Sequence, residues 1–126
     1  MTVGSILIVD DSDIDQFILK FMIEKYDADI TILQAYDGKE ALDILQGLDS
    51  QPELIFLDIN MPRMNGHEFL KVYESLPQHD SAVIMLSSSD EDSDKQQSLA
   101  YQSVKQYRTK PIAKADLEEI VCGANE

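Results

Sequence analysis

Five short runs rich in apolar residues divide the chain, at residues 5–9, 29–35, 53–57, 82–86 and 104–107. The first, third and fourth are continuous, which predicts strands buried on both faces, as in a parallel sheet; the second is more amphipathic. Between the runs, apolar residues recur at helical spacing. Ile14, Phe17, Ile18, Phe21 and Met22 predict a helix over about 14–25 that buries this face, with Ser12 or Asp13 at its start. Asp37-Gly38 predicts a turn, after which Ala41, Leu42, Leu45 and Leu48 form the inner stripe of a second helix whose end Gly47 weakens. Phe69, Leu70, Tyr73 and Leu76 mark a third, beginning near Asn65-Gly66 and stopped before Pro77. Residues 94–101 hold few apolar positions and predict a loosely held fourth helix. Leu117, Ile120 and Val121 predict the inner face of a last one, with Gly123 placed to end it.

Strand and helix therefore alternate five times. That pattern predicts an α/β domain: a parallel sheet with helices on both faces, joined by right-handed crossovers. No linker or low-complexity tract interrupts it. The expectation is one domain over residues 3–122 and no output domain.

Composition narrows the class. Hydrophobic residues make up 44% and charged residues 27%, ordinary for a soluble domain. No apolar run approaches the roughly 20 residues of a membrane helix. A start without a basic leader and a single cysteine, Cys122, predict a cytoplasmic protein and no membrane partner. The formal net charge of −14 gives no electrostatic footprint for nucleic acid.

The placement of particular acids says more. Apolar runs end in Asp10-Asp11, in Asp58 and in Ser87, and Lys110 follows the fifth run. In a parallel sheet these ends share one edge, the edge where open α/β folds place their ligand sites. Three crowded carboxylates repel one another unless a cation intervenes, and such hard oxygen donors suit Mg²⁺. Carboxylates, a metal, a lysine and a hydroxyl are the parts of a phosphoryl-transfer site with a carboxylate nucleophile.

These residues, with the run Leu57-Asp58-Ile59-Asn60-Met61-Pro62-Arg63-Met64-Asn65-Gly66, Tyr107 and Lys110-Pro111, resemble the receiver domain of two-component response regulators, and most closely a stand-alone chemotaxis-type receiver. The resemblance implies a doubly wound, flavodoxin-like sheet of order 2-1-3-4-5 with five helices. It implies that Asp58 accepts a phosphoryl group from a phosphohistidine on a sensor histidine kinase or a histidine phosphotransfer protein. Asp11 would bind Mg²⁺ directly and Asp10 through water, with Asp58 and the backbone carbonyl of Asn60 as further ligands. Lys110 would pair with the phosphoryl oxygens and Ser87, with Ser88 in reserve, would donate a hydroxyl. Tyr107 would turn inward as Ser87 moves, and the Lys110-Pro111 bond would be cis. The output would pass to a downstream protein through the 94–122 face, and the chain would catalyse only its own phosphorylation and dephosphorylation.

Some positions depart from the family. Ser103 stands where a glycine is usual, the loop of Asp90, Glu91, Asp92 and Asp94 is acidic and about one residue longer than in chemotaxis-type receivers, and Ala113-Lys114 lacks the usual helix-capping residue. The resemblance implies that the residues two past Asp58 and two past Ser87 flank the path of an attacking water; here they are Asn60 and Ser89, small and polar, which predicts a phosphoryl lifetime of minutes rather than days. Two rivals remain at this stage. A haloacid dehalogenase-type phosphatase would need an acid two residues past its nucleophile, where Asn60 stands, and a scaffold that has lost phosphorylation would not need the full acid set. His67 and His79 are expected to be solvated, and Tyr26, Tyr36 and Tyr101 to pack.

Overall fold

A computed structural model describes residues 3–88 and 92–124. Five strands, β1 (Ser5–Val9), β2 (Thr31–Ala35), β3 (Leu54–Leu57), β4 (Ala82–Ser87) and β5 (Val104–Thr109), alternate with α1 (Asp13–Tyr26), α2 (Gly38–Gln46), α3 (Gly66–Tyr73), α4 (Asp92–Leu99) and α5 (Lys114–Ala124). The strands form one sheet of order β2-β1-β3-β4-β5. Every neighbouring pair is parallel. This is the doubly wound, flavodoxin-like arrangement, with its switch point between β1 and β3.

The continuous apolar runs have a direct cause. Side chains alternate across a strand, and both faces of this sheet are covered. Leu7, Val9, Ile55, Leu57, Val83 and Met85 pack on one side with Ala41, Leu42, Leu45, Phe69, Leu70 and Tyr73 from α2 and α3. Ile6, Ile8, Leu54, Phe56, Ile84 and Leu86 pack on the other with Leu19, Ile23, Leu117, Ile120 and Val121 from α1 and α5. Side chains fix the helix starts. Ser12 accepts from the Asp15 N–H at 3.2 Å and Asp37 from the Glu40 N–H at 2.8 Å. Asn65 and Glu68 form a reciprocal capping box at the start of α3.

Several expectations are corrected. The buried face of α1 is Gln16, Leu19 and Ile23, with Met22 partly buried beside them. Ile14 and Phe17 are 71% and 70% exposed, and Ile18 and Phe21 are exposed as well. The reason is Gln16, only 1% exposed. Its side-chain amide donates to the carbonyls of Ile8 at 3.1 Å, Asp10 at 3.1 Å and Ala35 at 2.8 Å, while its oxygen accepts from Gln34 at 3.1 Å. A buried amide so satisfied turns the phenylalanines outward. Gly123 lies within α5 rather than ending it. Tyr36 is exposed, whereas Tyr26 and Tyr101 pack against the core.

His67 is not simply solvated. It is half-buried, and its Nε2 lies 2.9 Å from the Oγ of Ser98, the one buried residue of α4. Burial lowers its pKa, with the charge and a hydrogen bond of Asp94 opposing. Ser103 makes its turn without a positive φ, and its N–H donates to Glu74 at 2.7 Å. Ser89, Asp90 and Glu91, on which part of the loop and lifetime expectations fell, lie outside the described residues.

Candidate functional site

β3 delivers Asp58 to the carboxyl edge of the sheet. The Asp58 N–H donates to the Val9 carbonyl at 2.9 Å, so the main chain is still laddered to β1 at the residue that carries the carboxylate. One carboxylate oxygen accepts from the Ile59 N–H at 2.8 Å. Asp58 is buried, as is Asp10, while Asp11 and Asn60 are exposed. One carboxylate oxygen from each of Asp10, Asp11 and Asp58 lies within 4.8 Å of the others.

Lys110 comes to the same place from β5. Its N–H donates to the Ser87 carbonyl at 2.8 Å, and the Lys110-Pro111 bond is cis. Its ammonium lies 2.6 Å from Asp10 Oδ2, 2.9 Å from Asp15 Oδ2 and 3.5 Å from Asp58 Oδ2. Burial works against that charge, but the hydrogen bonds it donates to Asp10 and Asp15 outweigh this and hold the group above its ordinary value. At Asp58 it is burial that prevails. Burial pushes it up to about 6, with the charges of Asp10 and Asp11 adding to the push and Lys110 and the Ile59 N–H opposing it. One ammonium does not neutralise the three carboxylates, so the pocket is electrostatically short of positive charge.

The loop after Asp58 is held from both ends. Its Gly66 N–H donates to the Ile59 carbonyl at 2.8 Å, and a Cβ on Gly66 would collide with the carbonyl oxygen of Asp58. At its middle, Arg63 adopts a left-handed backbone, φ 62°, and its guanidinium bonds Asp37 at 2.6 and 2.7 Å. Burial disfavours the Asp37 charge, but the Glu40 N–H and Arg63 outweigh it and hold its carboxyl below the usual range. The Gly38 N–H donates to the Met64 carbonyl at 3.1 Å. These ties join the loop to the start of α2.

Ser87 is fully buried at the end of β4 and pairs with Thr109, two residues beyond Tyr107, which pairs with Met85. Side chains two apart on a strand share a face, so Ser87 and Tyr107 lie on the same side of the sheet. Tyr107 is half-buried against the core on that side. A cleft of about 310 Å³ opens beside Lys110, between Asp10, Asp15, Ile18, Leu86 and Pro111. The structure thus brings together Asp10, Asp11, Asp58 and Lys110, and puts Ser87 and Tyr107 on adjoining strand ends. Sequence reasoning missed Asp15, Gln16 and the Arg63–Asp37 pair. Their only local signals were polar residues inside an apolar helical stripe and a charge in a tight turn.

A doubly wound sheet whose first, third and last strands aim two acids, a third acid and a lysine at one pocket defines a narrow class of α/β proteins. The chain belongs to the response regulator receiver domain family, whose model matches residues 6–122. It is a receiver domain of two-component signalling, a family whose members typically hold Mg²⁺ in an acidic pocket and take their phosphoryl group from histidine kinases or phosphotransfer proteins. The fold resembles that of a two-component response regulator from Cytophaga hutchinsonii, with 29% identity, 100% of both chains covered and a TM-score of 0.87. It is also similar to chemotaxis protein CheY4 of Vibrio cholerae, with 25% identity over 98% of this chain and 99% of the other, TM-score 0.84. Among curated proteins it is 42% identical to the transcriptional regulatory protein HptR of Staphylococcus aureus, over 72% of this chain but 34% of that protein, so the match spans about a third of HptR. It is 32% identical to an uncharacterized 14.6 kDa protein of Leptolyngbya boryana, over 92% of this chain and 86% of that one. Among the described residues no helix is long and apolar enough to cross a membrane.

Proposed function

We propose that the unit over residues 3–122 is a phosphorylation-controlled interaction switch whose acceptor is Asp58. The observation that carries this reading is the buried Asp58 carboxylate, set between two acids and 3.5 Å from the Lys110 ammonium. In the transfer step an Asp58 oxygen attacks the phosphorus of a phosphohistidine. The P–N bond breaks, and its electron pair stays on the imidazole. Lys110 then pairs with the phosphoryl oxygens and Ser87 donates its hydroxyl to one of them.

Three carboxylate oxygens within 4.8 Å of one another, in a pocket short of positive charge, fit a small hard divalent cation. Asp10, Asp11, Asp58 and the backbone carbonyl of Asn60 would hold Mg²⁺. Bound there, it would neutralise charge shared between the acids and the phosphoryl oxygens. Two new hydrogen bonds to a charged group, about 1.5–3 kcal/mol each, reach the several kcal/mol needed to move a two-state population. Tyr107, sharing a face with Ser87, is the aromatic that follows.

The exposed apolar face of α1, Ile14, Phe17, Ile18 and Phe21, lies next to the site and suits the helix that carries the donor histidine. The output partner is met on the 94–122 face, where α4 buries little. The placement is cytoplasmic, and the chain transforms no substrate other than its own aspartyl phosphate. Asn60, where a haloacid dehalogenase-type phosphatase needs a general acid, supports the switch over the enzyme.

Incubation with a small phosphodonor and Mg²⁺ tests the reading. An acid-stable, base-labile adduct is expected on Asp58, lost within minutes at neutral pH. Equal labelling of Asp58→Asn overturns the assignment, and steady turnover of a phosphate monoester far beyond stoichiometry favours the phosphatase.

A further inference from the structure

Asp15 belongs to none of the groups described so far as acceptor or metal ligand, yet it makes one of the three carboxylate contacts of Lys110. It sits in the first turn of α1, where its own N–H donates to Ser12 Oγ at 3.2 Å. That cap directs the turn across the mouth of the pocket, and Asp15 Oδ2 meets the Lys110 ammonium at 2.9 Å. The ammonium has three N–H donors. They face Asp10 at 2.6 Å, Asp15 at 2.9 Å and Asp58 at 3.5 Å. Two of these carboxylates belong to the clustered acids Asp10, Asp11 and Asp58; Asp15 does not. The lysine is therefore shared between the cluster and an acid outside it.

A divalent cation among the clustered acids repels the ammonium and competes for the same oxygens. The ammonium must then move from Asp10 and Asp58 without leaving the reach of a phosphoryl group on Asp58. We propose that Asp15 is a positioning residue for Lys110, holding the ammonium at the rim of the acid cluster so that the clustered oxygens stay open to a divalent cation. The proposal rests on the reading above that the cluster binds Mg²⁺. Without Asp15 the ammonium has only the clustered acids as partners, and it sits among them in the cation's place.

An acid in a first helical turn also interacts favourably with the helix dipole. Asp13 provides the comparison. It stands in the same turn with the same charge, is exposed, and among the described residues has no ion pair with Lys110.

The test is Mg²⁺ affinity by titration calorimetry on the parent, Asp15→Asn, Asp13→Asn, Lys110→Met and the double variant Asp15→Asn/Lys110→Met, with circular dichroism confirming the fold of each. Asp15→Asn is expected to weaken Mg²⁺ binding about fivefold, the coupling typical of one salt-bridge network. Asp13→Asn is expected to change it less than about twofold, as for a screened surface charge. With Lys110 replaced by Met, Asp15→Asn is expected to add no more than Asp13→Asn does. Equal weakening by the two single Asn variants overturns the proposal, and so does an undiminished Asp15→Asn effect in the Lys110→Met background. If Lys110→Met does not fold, the comparison of the two Asn variants decides alone. A parent that binds no Mg²⁺ is a separate result: it overturns the metal reading, and this proposal with it.

Discussion

Gly66 packs directly on the carbonyl of Asp58, with no room between them for a side chain. A Cβ there would meet the Asp58 carbonyl oxygen and lie 3.0 Å from the Ile59 Cα. Both obstacles are main chain, so neither can turn aside as a flexible side chain would. Gly66→Ala is expected to push the end of β3 out of line, costing roughly 1–3 kcal/mol of stability and slowing phosphorylation of Asp58. A chemical denaturation curve and a phosphodonor time course check the two effects. Unchanged values in both would show that the loop relaxes freely.

Asp58 itself is expected to destabilise the cation-free protein. Its folded pKa of about 6 lies above the ordinary 3.8. Between those values the folded chain binds more protons than the unfolded one, so stability falls as pH rises through that window. Above it the penalty is complete, while below about pH 4 the carboxyl is neutral in both states. With chelator present, Asp58→Asn is expected to be more stable than the parent at neutral pH by about 1–3 kcal/mol, allowing for partial contact with water. Paired urea melts at pH 7.5 and pH 3.5 test this, and the gap should close at the lower pH.

Gln16 fastens the start of α1 to the ends of β1 and β2 through three carbonyls. Gln16→Leu keeps the volume but removes the donors. A cost of about 1–3 kcal/mol is expected, together with weaker Mg²⁺ binding, because the main chain of Asp10 loses its tether. Gln16→Glu should be worse, since it sets a carboxylate against the same carbonyls. A Leu variant as stable as the parent would show that the amide is not needed.

The Arg63–Asp37 pair is expected to be unequal. Arg63 is 58% exposed, whereas Asp37 is buried and also caps α2. Asp37→Ala removes the cap and the ion pair together and should cost about 1–2 kcal/mol. Arg63→Ala should cost less than about 1 kcal/mol. Thermal melts of the two variants suffice, and a larger loss for Arg63→Ala would reverse the assignment.

His67 Nε2 lies 2.9 Å from the Oγ of Ser98, the one buried residue of α4, and so ties that helix to α3. His67→Ala is expected to speed amide exchange along residues 92–99 while leaving β1 and β3 protected. Exchange mass spectrometry distinguishes this local loosening from a general loss of stability, which would raise exchange everywhere.

Strands and pocket acids were legible in the sequence because burial on both faces leaves an unbroken apolar signature. The residue that ends such a run must then stand at the sheet edge. The orientation of α1 was not legible. Two stripes compete on that helix, and the more hydrophobic one faces out because a single amide finds carbonyl partners inside. No hydropathy pattern encodes those partners. Asp15 was hidden for a similar reason: its meaning depends on Lys110, 95 residues away. The Arg63–Asp37 pair likewise joins turns 26 residues apart that look unrelated in the linear chain.

Lys110 and Asp10 are separated by 100 positions, and β5, which delivers the lysine, is the last strand of the sheet. During synthesis the acids at the ends of β1 and β3 emerge well before the cation that meets them. A chain that ends before β5 therefore holds the acids of β1 and β3 without the ammonium that meets them in the finished fold. The finished ion pair thus records that the sheet is complete, and a chain stalled before β5 lacks the cation that meets these acids.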